Sequence, residues 1–300
     1  MISLSILIPT FNTVCVSLVT ALQRQAARAG ISYEIIVADD GSTDTATVEA
    51  NKAINTLPHS LYIIRGKNEG RSRTRNFLAS QARHDFLLFI DSDMTVRDDN
   101  YIERYILTAE SHDVVYGGYI VRGDSKALRG NLRYRYETAN RRNGSAELRR
   151  QQPYHDFHTS NFIVRRQLFL RFPLDDRFRR YGYEDVVWGK TLQQEGIAIE
   201  HIDNALGFET FESNTAFVSK TEEGLETLHL FCSELRGYSH LLSTADSIRR
   251  LHMRGVMTLL YHLTAPTIKR QLQSNNPSLF LFKLYKLLYF CHIDELRVKS

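Results

Sequence analysis

Cysteine is scarce in this chain: three in 300 residues, at Cys15, Cys232 and Cys291. They are widely separated, with neither paired nor metal-ligand spacing. That excludes a disulfide framework and a cysteine-based metal site, and the thiols read as reduced core residues of a cytosolic protein. Long apolar runs are also missing. No stretch approaches the roughly eighteen uncharged residues that mark a membrane-spanning helix. The amino terminus lacks the basic segment, the apolar segment and the small-residue cleavage site of a secretory leader, so a cytoplasmic location is expected. Gly66 and Gly182 stand alone, which leaves no glycine-rich phosphate cradle. No Ser/His/Asp or Cys/His grouping for nucleophilic catalysis, internal repeat or low-complexity tract is evident.

What is present is enough apolar material for a large core, at 43% of residues, as one broad domain or one domain with an extension. Its most informative stretch is Asp85-Phe86-Leu87-Leu88-Phe89-Ile90-Asp91-Ser92-Asp93-Met94. An apolar run ends there in two carboxylates spaced i, i+2. In extended backbone that spacing puts both on one side, at the end of a buried parallel strand. Two carboxylates leave coordination positions free, which suits Mg²⁺ or Mn²⁺ shared with a diphosphate better than a closed cage. The plain alternative is a solvated strand end.

Two further strands share the design. Ser3-Leu4-Ser5-Ile6-Leu7-Ile8-Pro9-Thr10-Phe11-Asn12 and Tyr33-Glu34-Ile35-Ile36-Val37-Ala38-Asp39-Asp40-Gly41-Ser42 each run from apolar strand into polar turn. Lys67-Asn68-Glu69-Gly70-Arg71-Ser72-Arg73-Thr74-Arg75 then opens a helix. In open α/β sheets, ligands bind outside the carboxyl ends of strands. These four blocks, in this order, resemble the donor half of inverting glycosyltransferases of family 2, over residues 3 to roughly 195. The resemblance implies an α/β GT-A fold: a Rossmann-like, mostly parallel central sheet flanked by helices, here with a helical C-terminal extension. It implies a catalytic domain over 1–215, with a donor half over about 1–118 and an acceptor half over about 119–215, and an extension over 216–300. Carried over by position, Thr10 and Phe11 border a nucleotide, Asp40 meets the base edge, Arg75 helps hold the nucleotide, Asp91 lies near ribose and metal, and Asp93 binds the metal. Asp40 reads equally as a turn residue before glycine, and Arg71, Arg73 and Arg75 as a solvated helix face.

The second half resembles the acceptor portion of the same family. Asp113–Val121 reads as one strand and Thr159–Arg166, with Asn161 as an acceptor-binding residue, as another. Adjacent acids, Glu184 and Asp185, precede an apolar helical pattern from Val186. Acids in a first turn are favoured by the helix dipole alone, but in the family this pair serves catalysis: Asp185 as base, Glu184 positioning the acceptor hydroxyl. Inverting displacement needs such a base, and a metal ion can neutralise the leaving group. One departure stands out. The histidine that often completes the metal site falls near Phe208, which cannot ligate. His201 or Glu209 substitutes, or Asp93 and phosphate oxygens hold the ion, or the site is weakened.

The excess of positive charge is only +4, yet fourteen arginines lie between Arg122 and Arg180, among them Arg129, Arg133, Arg135, Arg142, Arg149 and Arg150. Aromatic interleaving is slight and no nucleic-acid reading module is present, so nucleic acid is not expected as a partner. An anionic acceptor, an anionic membrane or a solvated basic helix remains. After residue 215 the pattern is helical: a capping box at Ser219–Glu222, a helix near Ala245–His262, an interruption at Pro266, and a dense apolar-aromatic segment over 279–290 with two lysines. That segment is too short to span a bilayer; it packs over the catalytic domain or lies peripherally in a membrane interface. The reading is a metal-dependent inverting transferase passing a sugar, with UDP as the nucleotide, to a glycan or lipid-linked saccharide. The alternatives are a sugar-phosphate nucleotidyltransferase and a non-catalytic nucleotide- or glycan-binding relative.

Overall fold

The computed structural model describes residues 2–298. Its strands are β1 (Ser3–Thr10), β2 (Ser32–Asp39), β3 (Ser60–Ile64), β4 (Phe86–Ile90), β5 (Met94–Thr95), β6 (Val114–Tyr116), β7 (Tyr119–Val121), β8 (Asn161–Arg165), β9 (Glu200–His201) and β10 (Leu206–Phe208). A seven-stranded sheet runs in the order β3-β2-β1-β4-β8-β6-β9. β3, β2, β1 and β4 are parallel, β8 is antiparallel to both β4 and β6, and β6 is parallel to β9. All five residues of β4 are buried, as a strand covered on both faces requires. The chain winds outward from β1 through β2 to β3 and then returns to β4 on the other side of β1. The crevice at the carboxyl ends of β1 and β4 is therefore a topological switch point, where open α/β sheets take ligands.

Two compact units divide the chain: one comprises 1–122, 141–179 and 184–209, the other 123–140, 180–183 and 210–300. The first contains the large sheet and a small sheet in the order β5-β10-β7. Its core joins Leu7, Ile36, Leu87, Phe89 and Phe162 of the sheet to Leu78, Phe169, Trp188 and Leu192 of flanking helices. The second unit is helical, with Leu132, Phe217, Val218, Ala265, Ile268, Leu272, Phe282, Tyr285 and Leu288 in one cluster.

Several element boundaries depart from the sequence pattern. Asp113–Val121, read as one strand, breaks at Gly117-Gly118 into β6 of the large sheet and β7 of the small one. Gly118 has φ +77°, and a Cβ on Gly117 would lie 2.5 Å from the Asn204 carbonyl oxygen, so bend and close approach both need glycine. The helix expected to start at Ser219 begins a turn and a half earlier, because the Ser213 side chain caps it by accepting from the Ala216 N–H. The helix near 245–262 is two, His240–Arg250 and Arg254–Leu272, separated where His252 takes φ +57°. Pro266 lies inside the second of these rather than ending it.

The segment 279–290 belongs to the helix Leu279–Val298. Its Phe282, Tyr285, Leu288 and Phe290 are buried, and the first three lie in the second unit's own core. Phe282, Tyr285 and Leu288 thus turn one face of the segment into that core, while Phe280 is exposed.

Candidate active site

The polar turns after β1 and β2 form one interlocked platform. Asn12, at φ +50°, accepts through Oδ1 from the Thr43 N–H at 2.8 Å and the Asp44 N–H at 3.0 Å, while its own N–H donates to Ser42 Oγ at 2.8 Å. Thr10 is buried and donates to the Thr13 carbonyl, whereas the Phe11 ring at the strand end is 43% exposed. Asp40 accepts from Arg65 Nη1 at 3.0 Å, the Glu69 N–H at 3.0 Å and the Gly70 N–H at 2.9 Å. Of the two readings the sequence allowed, its turn-building role is the visible one: the carboxylate ties the loop after β3 to the loop after β2. Gly41, at φ +73°, permits this, because a Cβ there would meet the Lys67 backbone at 2.5 Å. Arg65, which the sequence reading missed, also lies over the Phe77 ring.

Beyond β4 the backbone turns at once. The Met94 N–H donates to the Asp91 carbonyl, so Ser92 and Asp93 sit in a turn, and the same-side argument from extended backbone does not apply to Asp91 and Asp93. Both carboxylates are half-buried. Asp91 pairs with Arg75 Nη2 at 2.5 Å, and the guanidinium itself is 1% exposed. The guanidinium is therefore enclosed and paired with Asp91, and the solvated-face reading does not hold for it. Its Nη1 is 4.0 Å from Glu184 Oε1. One buried cation thus stands between the Asp91 carboxylate and the acid pair.

Glu184 and Asp185 open the helix Glu184–Gln194, and their environments push them apart. Burial, reinforced by the neighbouring Asp185 charge, raises the Glu184 pKa. Burial also acts against the Asp185 carboxylate, but the hydrogen bond and charge of His158, the Val186 N–H and Arg75 outweigh it and hold its pKa below the ordinary value. The two adjacent carboxyls are thus shifted in opposite directions, Glu184 up and Asp185 down. His158 Nδ1 is 2.8 Å from Asp185 Oδ2, beside the Tyr116 and Tyr119 rings. Sequence reading missed His158; twenty-seven residues from Asp185, no spacing marks it.

Asn161, expected to bind acceptor, requires correction. It is fully buried, accepts from Tyr101 and Tyr105 hydroxyls at 2.6 and 2.8 Å, and donates to the Gly118 and Asn204 carbonyls at 2.7 and 3.0 Å. With its amide saturated, it holds the bend at Gly118 instead.

The donors for a divalent cation are few. Among the described residues, no three His, Cys, Asp or Glu side chains group to hold a metal ion. His201 is enclosed, with Nδ1 facing Arg149 Nε at 3.2 Å and Nε2 facing the Pro153 carbonyl at 2.9 Å. Burial lowers its pKa to about 4. Glu209 is clamped by Arg97 at 2.6 Å and Thr95 at 3.0 Å, and the Arg97 hydrogen bond keeps its carboxyl below the usual range. Neither replaces a ligand without losing its partners. Phe208 lies on β10 opposite Met94, the residue after Asp93. The residues present fit a cation held by Asp93, with Asp91 beside it, and completed by phosphate oxygens.

Three comparisons with known proteins bear on this geometry. The family model described as glycosyl transferase family 2 matches residues 5–172. The chain is 27% identical over 118 residues to poly(ribitol-phosphate) beta-N-acetylglucosaminyltransferase TarS of Staphylococcus aureus (strain Mu50 / ATCC 700699), covering 38% of this chain and 20% of TarS. It is 22% identical over 240 residues to chondroitin synthase of Pasteurella multocida (strain Pm70), covering 69% of this chain and 24% of the synthase. The chain therefore spans about a fifth to a quarter of the length of these relatives. The crystal structure of S. aureus TarS 1-349 in complex with UDP superposes with a TM-score of 0.54 at 15% identity, over 99% of this chain and 92% of that one. That likeness shows the fold, the α/β GT-A arrangement with a helical C-terminal region.

Proposed function

The chain belongs to glycosyl transferase family 2, and from that premise we propose that it passes a sugar from a UDP-sugar to a hydroxyl of a glycan or lipid-linked saccharide, inverting the anomeric centre in one displacement. The observation that carries this reading is the contact series Asp91–Arg75–Glu184, which joins the donor-side carboxylate to the acid pair through one buried guanidinium. UDP is supported by its presence in the structure of the similar staphylococcal enzyme. The catalytic domain is read as 1–215 and the helical extension as 216–300, although 123–140, 180–183 and 210–215 group with the helical unit.

On this reading Phe11 borders the nucleotide, supported by its exposed ring at the end of β1. Thr10 and the Asp40 platform shape the pocket from behind. Asp91 orients the ribose side of the donor, held by Arg75. Asp93 and Asp91 would hold Mn²⁺ or Mg²⁺ with the diphosphate, and the ion would supply charge neutralisation on the leaving group. Asp185, kept ionised by His158, takes the proton of the attacking hydroxyl; such a base contributes roughly 10²–10⁴-fold in rate. Glu184, beside it at the start of the same helix, positions the acceptor hydroxyl. Intracellular placement beside the inner face of a membrane is consistent with such an acceptor.

The test is direct. A thermal-shift panel of nucleotide sugars with Mn²⁺ identifies the donor, and its slow hydrolysis by the protein, followed by proton NMR of the sugar released, reports the anomeric outcome. Stabilisation by a UDP-sugar and an initially inverted product are expected. No stabilisation by any nucleotide sugar, or a retained anomer, contradicts the proposal.

A further inference from the structure

The surface of the second unit carries an apolar stripe that the transfer site does not use. Leu251, Met253, Val256, Leu259, Leu260 and Leu263 are between 41% and 69% exposed. The last four stand at i, i+3, i+4 and i+7 on the helix Arg254–Leu272, which places them on one face. The other side of this helix, through Ala265, Ile268 and Leu272, lies in the core of the unit. The helix is therefore apolar both inward and outward. Scattered exposed leucines need no explanation, but a contiguous stripe marks an interaction surface.

Charge indicates what covers it. Between Asp246 and Asp294 the sequence contains no acidic residue and seven Lys or Arg. Arg249, Arg250 and Arg254 precede the stripe, and Lys269 and Arg270 follow it. Arg249 and Arg254 share Asp294, at 3.4 and 3.2 Å, and Lys269 reaches Glu222 at 2.8 Å, while Arg250 and Arg270 are exposed at opposite ends of the stripe. A second copy of this chain would bring the same cations against one another across a two-fold axis, and like charges in an interface are unfavourable. Lipid phosphates carry the opposite sign. No helix among the described residues is long and apolar enough to cross a membrane, so the helix would lie along the surface.

We propose that residues 251–263 dock on an anionic lipid surface, leucines at the acyl boundary and flanking arginines among the headgroup phosphates. The proposal is independent of the transfer reading, since none of these residues belongs to the site. It also relocates the contact expected at 279–290 to the neighbouring helix.

The experiment is co-sedimentation of the full chain with vesicles of phosphatidylcholine alone or mixed with phosphatidylglycerol, at low and high salt. Wild type is expected to sediment with the anionic vesicles only, and to be released by salt. The double variants Leu259→Gln/Leu263→Gln and Arg250→Glu/Arg270→Glu should each lower partitioning roughly tenfold or more. Both change exposed positions, and an unaltered unfolding midpoint checks that the fold is retained. Three results overturn the proposal: no sedimentation of wild type with anionic vesicles, equal sedimentation of wild type and both variants, or a wild-type dimer by light scattering that the leucine variant converts to monomer without vesicle binding.

Discussion

His158 and Asp185 face each other across 2.8 Å, nitrogen Nδ1 to carboxylate Oδ2, at the first turn of the helix Glu184–Gln194. The imidazole fixes one oxygen of the carboxylate and the Val186 N–H, at 2.8 Å, fixes the other. If Asp185 is the base, His158 sets its orientation. His158→Ala is expected to lower kcat by roughly tenfold or more, the worth of one hydrogen bond to a charged group, with little change in donor affinity. His158→Gln, able to donate the same bond, should restore much of that loss. Steady-state kinetics of the two variants decide; equal kcat for wild type and His158→Ala would remove the histidine from the account.

Arg75 tests whether the donor and acceptor sides are joined. It is buried between Asp91 and Glu184, so Arg75→Met leaves the Asp91 carboxylate without its partner. Removing one member of a buried pair costs about 3 kcal/mol. Urea unfolding should register a loss of that order, and calorimetry a weaker affinity for UDP. An Arg75→Met protein as stable as wild type would show that the guanidinium contributes nothing net.

The metal proposal makes a paired prediction. Asp93→Ala should abolish whatever gain in UDP affinity Mn²⁺ confers, because the carboxylate is the ion's protein anchor. Phe208→His, on the strand opposite Met94, should tighten apparent Mn²⁺ affinity by adding a ligand next to that turn. Titration calorimetry with and without metal reads both. Persistent metal-dependent UDP binding in Asp93→Ala would place the ion elsewhere.

His201 gives the chain a pH signature unrelated to catalysis. Burial lowers its folded pKa to about 4, from an ordinary value near 6.5. The unfolded chain therefore binds the proton first as pH falls. The neutral ring's contribution is fully present above about pH 6.5 and is lost on acidification toward pH 4, at roughly 2–3 kcal/mol between pH 6.5 and 4.5. Unfolding free energies at the two pH values should differ by that much more in wild type than in His201→Asn. Parallel pH dependence of the two proteins would contradict the assignment.

Much of the first unit was legible because its strands are continuous apolar runs ending in polar turns, a pattern that follows from burial on both faces. The resemblance also drew attention to Asp91, Asp93, Glu184 and Asp185 together. What the pattern could not reveal depends on contacts distant in sequence. His158 meets Asp185 only after β8 folds against β4, and Asn161 is saturated by two tyrosines some sixty residues upstream, at Tyr101 and Tyr105. The break at Gly117-Gly118 was written in the glycines, but its cause, a close approach to Asn204, was not local. The end of the chain was ambiguous for a simpler reason: aromatic density over 279–290 speaks of burial or of membrane, and composition does not distinguish them.

The central claim is that Asp185 takes the acceptor proton. Asp185→Asn keeps the shape and the Val186 contact but cannot accept a proton at neutral pH. Product formation at saturating donor, measured beside UDP binding by calorimetry on the same protein, should fall by roughly 10²-fold or more while UDP affinity stays within a small factor of wild type. A fully active Asp185→Asn enzyme, or loss of UDP binding together with activity, would contradict the account, the first by removing the base and the second by making the pair a structural feature of the helix start.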